Sequence, residues 1–206
     1  MSQPPSPYVR SHELVSRSES RLLIVDVQEK LVPAISNYDR MLANCRQLIQ
    51  GAKILQVPVF ATEQYPKGLG HTVPALAELL AAIPEKQRFS CGEVLNWGLA
   101  SEQADNRYQI VVAGIEAHVC VLQTVLDLLA AGFQVFVVAD AISSRDEFDW
   151  QIALNRMSAG GATILTTESV LFEWCEVSGT PEFKQISQLI KQRDEKDSGT
   201  KLGFGS

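Results

Sequence analysis

Histidine is scarce in this sequence: His12, His71 and His118 are all there are in 206 residues, and none lies within a few positions of another. Four cysteines, Cys45, Cys91, Cys120 and Cys175, stand far apart with no CxxC or CxxH spacing. That pattern argues against a zinc knuckle and gives no sign of a disulfide framework. No G-x-G-x-x-G follows any candidate strand, so the usual cradle for a dinucleotide pyrophosphate is missing. No apolar run approaches the length of a membrane-spanning helix. Positive charge is in deficit, with a formal net charge of −6, so attraction to nucleic acid or anionic lipid is not expected. These absences leave an expectation of no cofactor, no bound metal, no nucleic-acid partner and no membrane. The first twenty residues also lack the apolar core of a secretion signal. Arg10, Arg17 and several serines hint at a mitochondrial address, but Glu13 and Glu19 work against it. A reducing, cytoplasmic setting is the plain reading.

What is present is an ordinary globular composition, 46% hydrophobic and 20% charged, in a length that suits one domain. Residues 1–19 are rich in Pro and Ser and read as a flexible N-terminal tail. Residues 192–206 are polar and read as a flexible C-terminal tail, which leaves a domain over 20–191. Inside it, short β-branched runs alternate with longer amphipathic stretches. Residues 21–27, 57–63, 108–114, 134–140 and 162–168 read as strands, and a weaker sixth lies near 86–90. Four of these runs are nearly continuous in Val, Ile, Leu or Phe, the mark of strands covered on both faces. Apolar residues recurring at three-to-four spacing predict a helix from about Asp39 to Gln56, another ending at Gly132, one around 152–159 and a last one around 183–190. Such alternation implies an α/β domain with a mostly parallel sheet and right-handed crossovers.

In an open doubly wound sheet, ligands bind beyond the carboxyl ends of the strands, where the strand order reverses. Three residues near such ends carry chemistry. Asp26 closes LLIVDVQ, a carboxylate among apolar residues that needs a partner; the plain alternative is a loop or helix cap. Cys120 follows the fourth strand, near the start of the next helix. Unpaired N–H groups there are expected to lower a thiol pKa and to hold an oxyanion; the alternative is a buried cysteine acting as a small hydrophobe. Lys86 sits in PEKQRFS, where a lysine is ordinarily solvated, and Arg88 two positions on is a competing cation. His118, beside the cysteine, reads as a packing or hydrogen-bonding residue because Asp26 already fits the role of base.

Taken together, these residues resemble the isochorismatase-like cysteine hydrolases, a superfamily that includes nicotinamidases and N-carbamoyl-amide hydrolases. The D-x-Q motif appears as Asp26-Val27-Gln28, K-x-x-[FY]-S as Lys86 through Ser90, and the turn G-x-x-x-x-x-C-V as Gly114 through Cys120-Val121, followed by Thr124 and Asp127. VVADAISSR at 137–145 and TEQYPKGLG at 62–70 add to the likeness, which runs over about residues 20–190.

The resemblance implies a three-layer α/β/α fold with a six-stranded sheet in the order 3-2-1-4-5-6. It implies Cys120 as nucleophile, Asp26 as proton carrier and Lys86 as a fixed positive charge. It also implies a cis peptide at Ile115–Glu116, turning the N–H groups of Glu116 and Cys120 toward an oxyanion. Gln28, Glu63, Tyr65, Phe89 and Trp97 are candidate substrate contacts. Where nicotinamidases hold a metal through an Asp-x-His pair, this chain reads Thr62-Glu63-Gln64-Tyr65, so no metal is expected. A cysteine at position 120, where siderophore-type isochorismatases carry glycine, favours acyl transfer from an amide over vinyl-ether cleavage. The implied function is cleavage of a C–N bond, amide or carbamoyl, in a small metabolite through a cysteine acyl-enzyme, by a homo-oligomer. The alternative is a catalytically silent scaffold or binding module with the same fold.

Overall fold

The computed structural model describes residues 8–200, with side chains described as far as residue 192. Six strands, β1 (Ser20–Val25), β2 (Val59–Gln64), β3 (Glu85–Lys86), β4 (Gln109–Ile115), β5 (Gln134–Ser143) and β6 (Thr163–Leu165), form one sheet in the order β3-β2-β1-β4-β5-β6. Every pairing is parallel. The helices are α1 (Tyr38–Ile54), the single turns α2 (Pro66–Leu69), α3 (Pro74–Ala77) and α4 (Gly92–Leu95), then α5 (Leu122–Ala130), α6 (Glu147–Ala159), α7 (Thr167–Cys175) and α8 (Pro181–Thr200). This is the expected architecture and strand order.

Alternation along the central strands divides the interior in two. Leu22 and Ile24 of β1, with Val111 and Ala113 of β4, face a core built on α1, α7 and α8. Leu23 and Val25, with Ile110 and Val112, face a core built on α5 and α6. Successive side chains point to opposite faces of a strand, so continuous apolar runs are what a sheet between two helical layers requires. The order reverses at β1, which pairs with β2 on one side and β4 on the other. The crevice therefore opens beyond Val25 and Ile115.

At both ends the chain departs from the expected tails. From Arg10 on it packs against the body: Arg10 donates to the Glu173 carbonyl at 2.7 Å, and Val15 is fully buried. The backbone of α8 continues helical through Thr200, while residues 1–7 and 201–206 lie outside the described residues. Helix α7 went unread in the sequence because it follows β6 after a single residue, Thr166. No helix among the described residues is long and apolar enough to cross a membrane.

Candidate active site

Asp26 is the first residue past β1. Its backbone is left-handed, with φ of 49°, a conformation an aspartate tolerates better than most residues. The strand stops there and the carboxylate lies in the crevice, fully buried. The Thr62 hydroxyl, at the end of the neighbouring β2, donates to Asp26 Oδ1 at 2.7 Å. Oδ2 faces Lys86 Nζ at 2.6 Å, with both side chains wholly shielded from solvent. A buried ion pair is retained only where the remaining polar atoms are satisfied. Here the ammonium also donates to Gln64 Oε1 at 2.7 Å, to the Phe89 carbonyl at 2.7 Å and to the Arg88 carbonyl at 3.2 Å. Arg88 itself points outward and pairs with Glu93 on the surface. Lys86, not Arg88, is the cation of the crevice.

Lys86 arrives from the edge of the sheet. Strand β3 is two residues long, and its register sets Lys86 opposite Gln64 of β2. The lysine stem crosses from there to the end of β1, one strand further in, and brings the charge to Asp26.

Cys120 reaches the same place from β4. The Ile115–Glu116 peptide is cis, and residues Ala117–Val121 form a π turn that leads into α5. The thiol is 6% exposed and lies close enough to Asp26 for the carboxylate to act on its ionisation. Thr124, one turn on, donates to the Cys120 carbonyl at 2.7 Å and accepts from the Cys91 N–H at 3.0 Å, tying the turn to the segment after β3. Cys91 is a second buried thiol at this centre, with Sγ 3.3 Å from the Thr62 hydroxyl. Its pKa is pushed up to about 11, by burial first and then by the Asp26 charge, with Lys86 opposing.

The electrostatics of Cys120 correct the expectation of a thiolate at a helix tip. Burial raises its thiol pKa, the Asp26 charge raises it further, and Lys86 offsets only part of that. The cysteine sits inside the π turn rather than at the open end of α5, so the helix end does not decide its ionisation. The resting arrangement is a thiol beside a carboxylate that can receive its proton.

The other residues singled out from the sequence fall into distinct places. Gln28 is fully buried and spends its amide on backbone: it donates to the Gln64 and Gly70 carbonyls and accepts from the Gln64 N–H. It is not offered to a ligand. Glu63 is also buried; burial opposes its charge, but hydrogen bonds from Thr72 and His71 outweigh it and lower its pKa. It fastens the loop after β2, with the Thr72 N–H at 2.5 Å. Glu116 is 8% exposed and accepts from the Arg145 N–H at 3.1 Å and its guanidinium at 3.0 Å. Tyr65 and Phe89, 48% and 51% exposed, meet Lys86 through their backbones: the Tyr65 N–H donates to its carbonyl, and the Phe89 carbonyl accepts from its ammonium.

Trp97 is elsewhere. Its ring meets Phe60 at 5.1 Å and Phe133 at 6.1 Å, with the Arg21 guanidinium 5.0 Å from it, all near the amino ends of their strands. A large apolar ring gains more from that core than from a crevice at the opposite edge. His118 turns away from the sulfur, with Nδ1 at 2.9 Å from the Ser144 hydroxyl. Thr62, Gln64, Cys91 and Thr124 belong to the centre although the sequence reading assigned none of them a role in it.

A cavity of about 320 Å³ lies near the carboxyl end of β5, lined by Asn37, Arg40, Asp140, Ser144 and Trp150 among others. Asp26, Lys86 and Cys120 do not line it. Among the described residues no group of three or more His, Cys, Asp or Glu side chains could hold a metal ion.

Comparison with known proteins gives a consistent picture. The family profile of the isochorismatase domain matches residues 20–169. The isochorismatase domain-containing protein 2A of Mus musculus is 38% identical over 176 residues, covering 84% of this chain and 83% of the mouse protein. The isochorismatase domain-containing protein 1 of Salmo salar is 41% identical over 168 residues, 81% of this chain and 59% of that protein. The solved structure of MAR1 ribonuclease from Caenorhabditis elegans superposes with a TM-score of 0.79 at 39% identity, over 86% of this chain and 92% of that one. The YcaC gene product of Escherichia coli, an octameric hydrolase of unknown specificity, shares the fold with a TM-score of 0.76 at 23% identity, over 94% and 99% of the two chains.

Proposed function

The chain belongs to the isochorismatase family, and from that premise we propose that it is a cysteine hydrolase that cleaves an amide or carbamoyl C–N bond in a small molecule. The observation that carries the reading is the buried ion pair between Asp26 and Lys86, 2.6 Å apart, whose charges both act on the nearby Cys120 thiol. A buried carboxylate, ammonium and thiol form a costly arrangement for a protein that only folds or docks.

The residues divide the work as follows. Asp26 takes the thiol proton, Lys86 balances the negative charge this leaves on sulfur, and the sulfur then attacks the carbonyl carbon and passes that charge to the carbonyl oxygen. The oxyanion forms against the turn that begins at the cis Ile115–Glu116 peptide and ends at Cys120. Asp26 returns its proton to the leaving nitrogen as the C–N bond breaks, leaving the acyl group on sulfur. Water attacks that thioester carbon and gives a proton to Asp26; the C–S bond then breaks, the acid product leaves, and Asp26 returns the proton to sulfur.

A small substrate suits a centre whose three side chains are almost wholly enclosed. The name of the C. elegans protein states a ribonuclease activity of that protein; a polyanion is poorly matched to this chain, with its net charge of −6 and a shielded sulfur. Four free thiols suit a reducing compartment such as the cytoplasm. Phe148 and Ile152, 68% and 42% exposed one turn apart on α6, support self-association. The catalytic unit in this proposal is the domain over 20–191.

The test is ammonia release and intact mass across a panel of small primary amides and N-carbamoyl compounds. Turnover with an acyl or carbamoyl adduct on Cys120, and a loss on the order of 10³-fold in Cys120→Ala, is the expected result. Turnover that survives Cys120→Ala overturns the cysteine mechanism, and a panel with neither turnover nor adduct overturns the proposal in favour of a silent scaffold.

A further inference from the structure

Lys86 is delivered by a strand of two residues at the edge of the sheet, with a single backbone neighbour strand to hold it. Such an element has little rigidity of its own, yet the ammonium must sit within hydrogen-bonding reach of Asp26. We infer that Gln64 is the residue that positions Lys86, and that Gln28 anchors Gln64 in turn, so that two buried glutamines set the charge of the centre. This rests on the reading of Asp26, Lys86 and Cys120 given above.

The geometry is explicit. Gln64 Oε1 accepts from Lys86 Nζ at 2.7 Å, while its Nε2 donates to the Gln87 carbonyl at 2.8 Å. One amide therefore grips both the lysine head and the backbone just past its stem. The residue is 8% exposed, so water is a poor substitute for either bond. Gln28 grips the backbone of Gln64 from the other side: its Oε1 accepts the Gln64 N–H at 2.7 Å and its Nε2 donates to the Gln64 carbonyl at 2.9 Å. A third bond, from Nε2 to the Gly70 carbonyl at 2.7 Å, ties in the loop beyond β2. Asp26 and Gln28 are two residues apart on one segment. The motif that supplies the carboxylate thus also supplies the anchor for its counter-charge, through Gln64.

An ammonium has three protons to place. The Gln64 amide oxygen and the Phe89 carbonyl accept at 2.7 Å and the Arg88 carbonyl at 3.2 Å, which holds the head 2.6 Å from Asp26 Oδ2 as its counter-charge. Remove the Gln64 acceptor and the ammonium is free to turn to other oxygens; the Asp26 charge then acts on Cys120 with less opposition.

The experiment is the pH dependence of Cys120 alkylation by iodoacetamide, followed by peptide mass on the whole protein, alongside kcat and KM for whichever amide the wild type turns over. Gln64→Met keeps the volume and removes the acceptor. It is expected to shift the Cys120 midpoint upward by about half a unit or more and to lower kcat roughly tenfold, with KM little changed. Gln64→Leu also removes the acceptor for Lys86 and adds no charge. It is expected to move the midpoint upward as well, and it decides the matter should Gln64→Met fail to fold. A midpoint that stays at the wild-type value in a folded variant overturns the inference, as does a variant that loses only thermal stability while kcat holds. The two readings fail separately: turnover that survives Cys120→Ala removes the catalytic assignment, whereas turnover that needs Cys120 but ignores Gln64 removes the positioning role alone.

Discussion

Asp26 accepts the Thr62 hydroxyl on one oxygen and faces the Lys86 ammonium with the other, and its charge ranks second only to burial in pushing the Cys120 thiol up. Replacing it by asparagine keeps the shape and removes both the charge and the proton acceptor. In Asp26→Asn the pH midpoint of Cys120 alkylation is therefore expected to fall, because a raising influence is gone while Lys86 still favours the thiolate. Turnover is expected to fall on the order of 10²–10⁴-fold, since nothing remains to carry the proton. Sulfur more reactive, enzyme less active: parallel measurements of alkylation and hydrolysis check this opposition, and a midpoint that rises or stays put contradicts the electrostatic account. At this scale the sequence was uneven as a guide. Asp26 and Cys120 are legible because each follows an apolar strand. Lys86 and Arg88 are two cations two positions apart, and only the register of β3 against Gln64 shows which one turns inward. Trp97 lies in a loop with no periodicity, so nothing in its neighbours tells which edge of the sheet it joins.

Strands announce themselves when they are long and covered on both faces. β1, β4 and β5 are nearly continuous in apolar residues and were readable to within a few positions, as were α1 and α5 from their three-to-four spacing. β3, α2, α3 and α4 are too short to display a period, and they hold much of the loop structure around the centre. The π turn at Ala117–Val121 is likewise invisible to a helical or strand pattern, yet it sets where the thiol lies. The junction of β1 and β4 is a close approach of two backbones. Gly114 has φ of +116°, and a Cβ there would fall 2.1 Å from the Val25 carbonyl oxygen. Gly114→Ala must push the two central strands apart just where Asp26 and Cys120 are presented. It is expected to cost about 3 kcal/mol or more, read as a lower denaturant midpoint.

Among the described residues, the segment from Arg10 to Val15 is fastened to α7. Arg10 donates to the Val15 carbonyl at 3.0 Å and the Glu173 carbonyl at 2.7 Å and pairs with Glu176 at 3.2 Å, while the Val15 N–H meets the Glu173 carboxylate at 2.7 Å. Deleting residues 1–15 is expected to remove about 2–4 kcal/mol from buried Val15 and these bonds, lowering the melting temperature by roughly 10 °C without touching the crevice. An unchanged melting temperature assigns the segment no structural part. Strand β3 carries one more consequence at this scale. A sheet that ends in an open flank invites a second molecule to stack on it, and a very short edge strand is among the ways proteins discourage such stacking. At two residues, β3 leaves almost no free backbone for another copy to add to, so the shortness that makes Lys86 lean on its neighbours also guards the flank against edge-to-edge association.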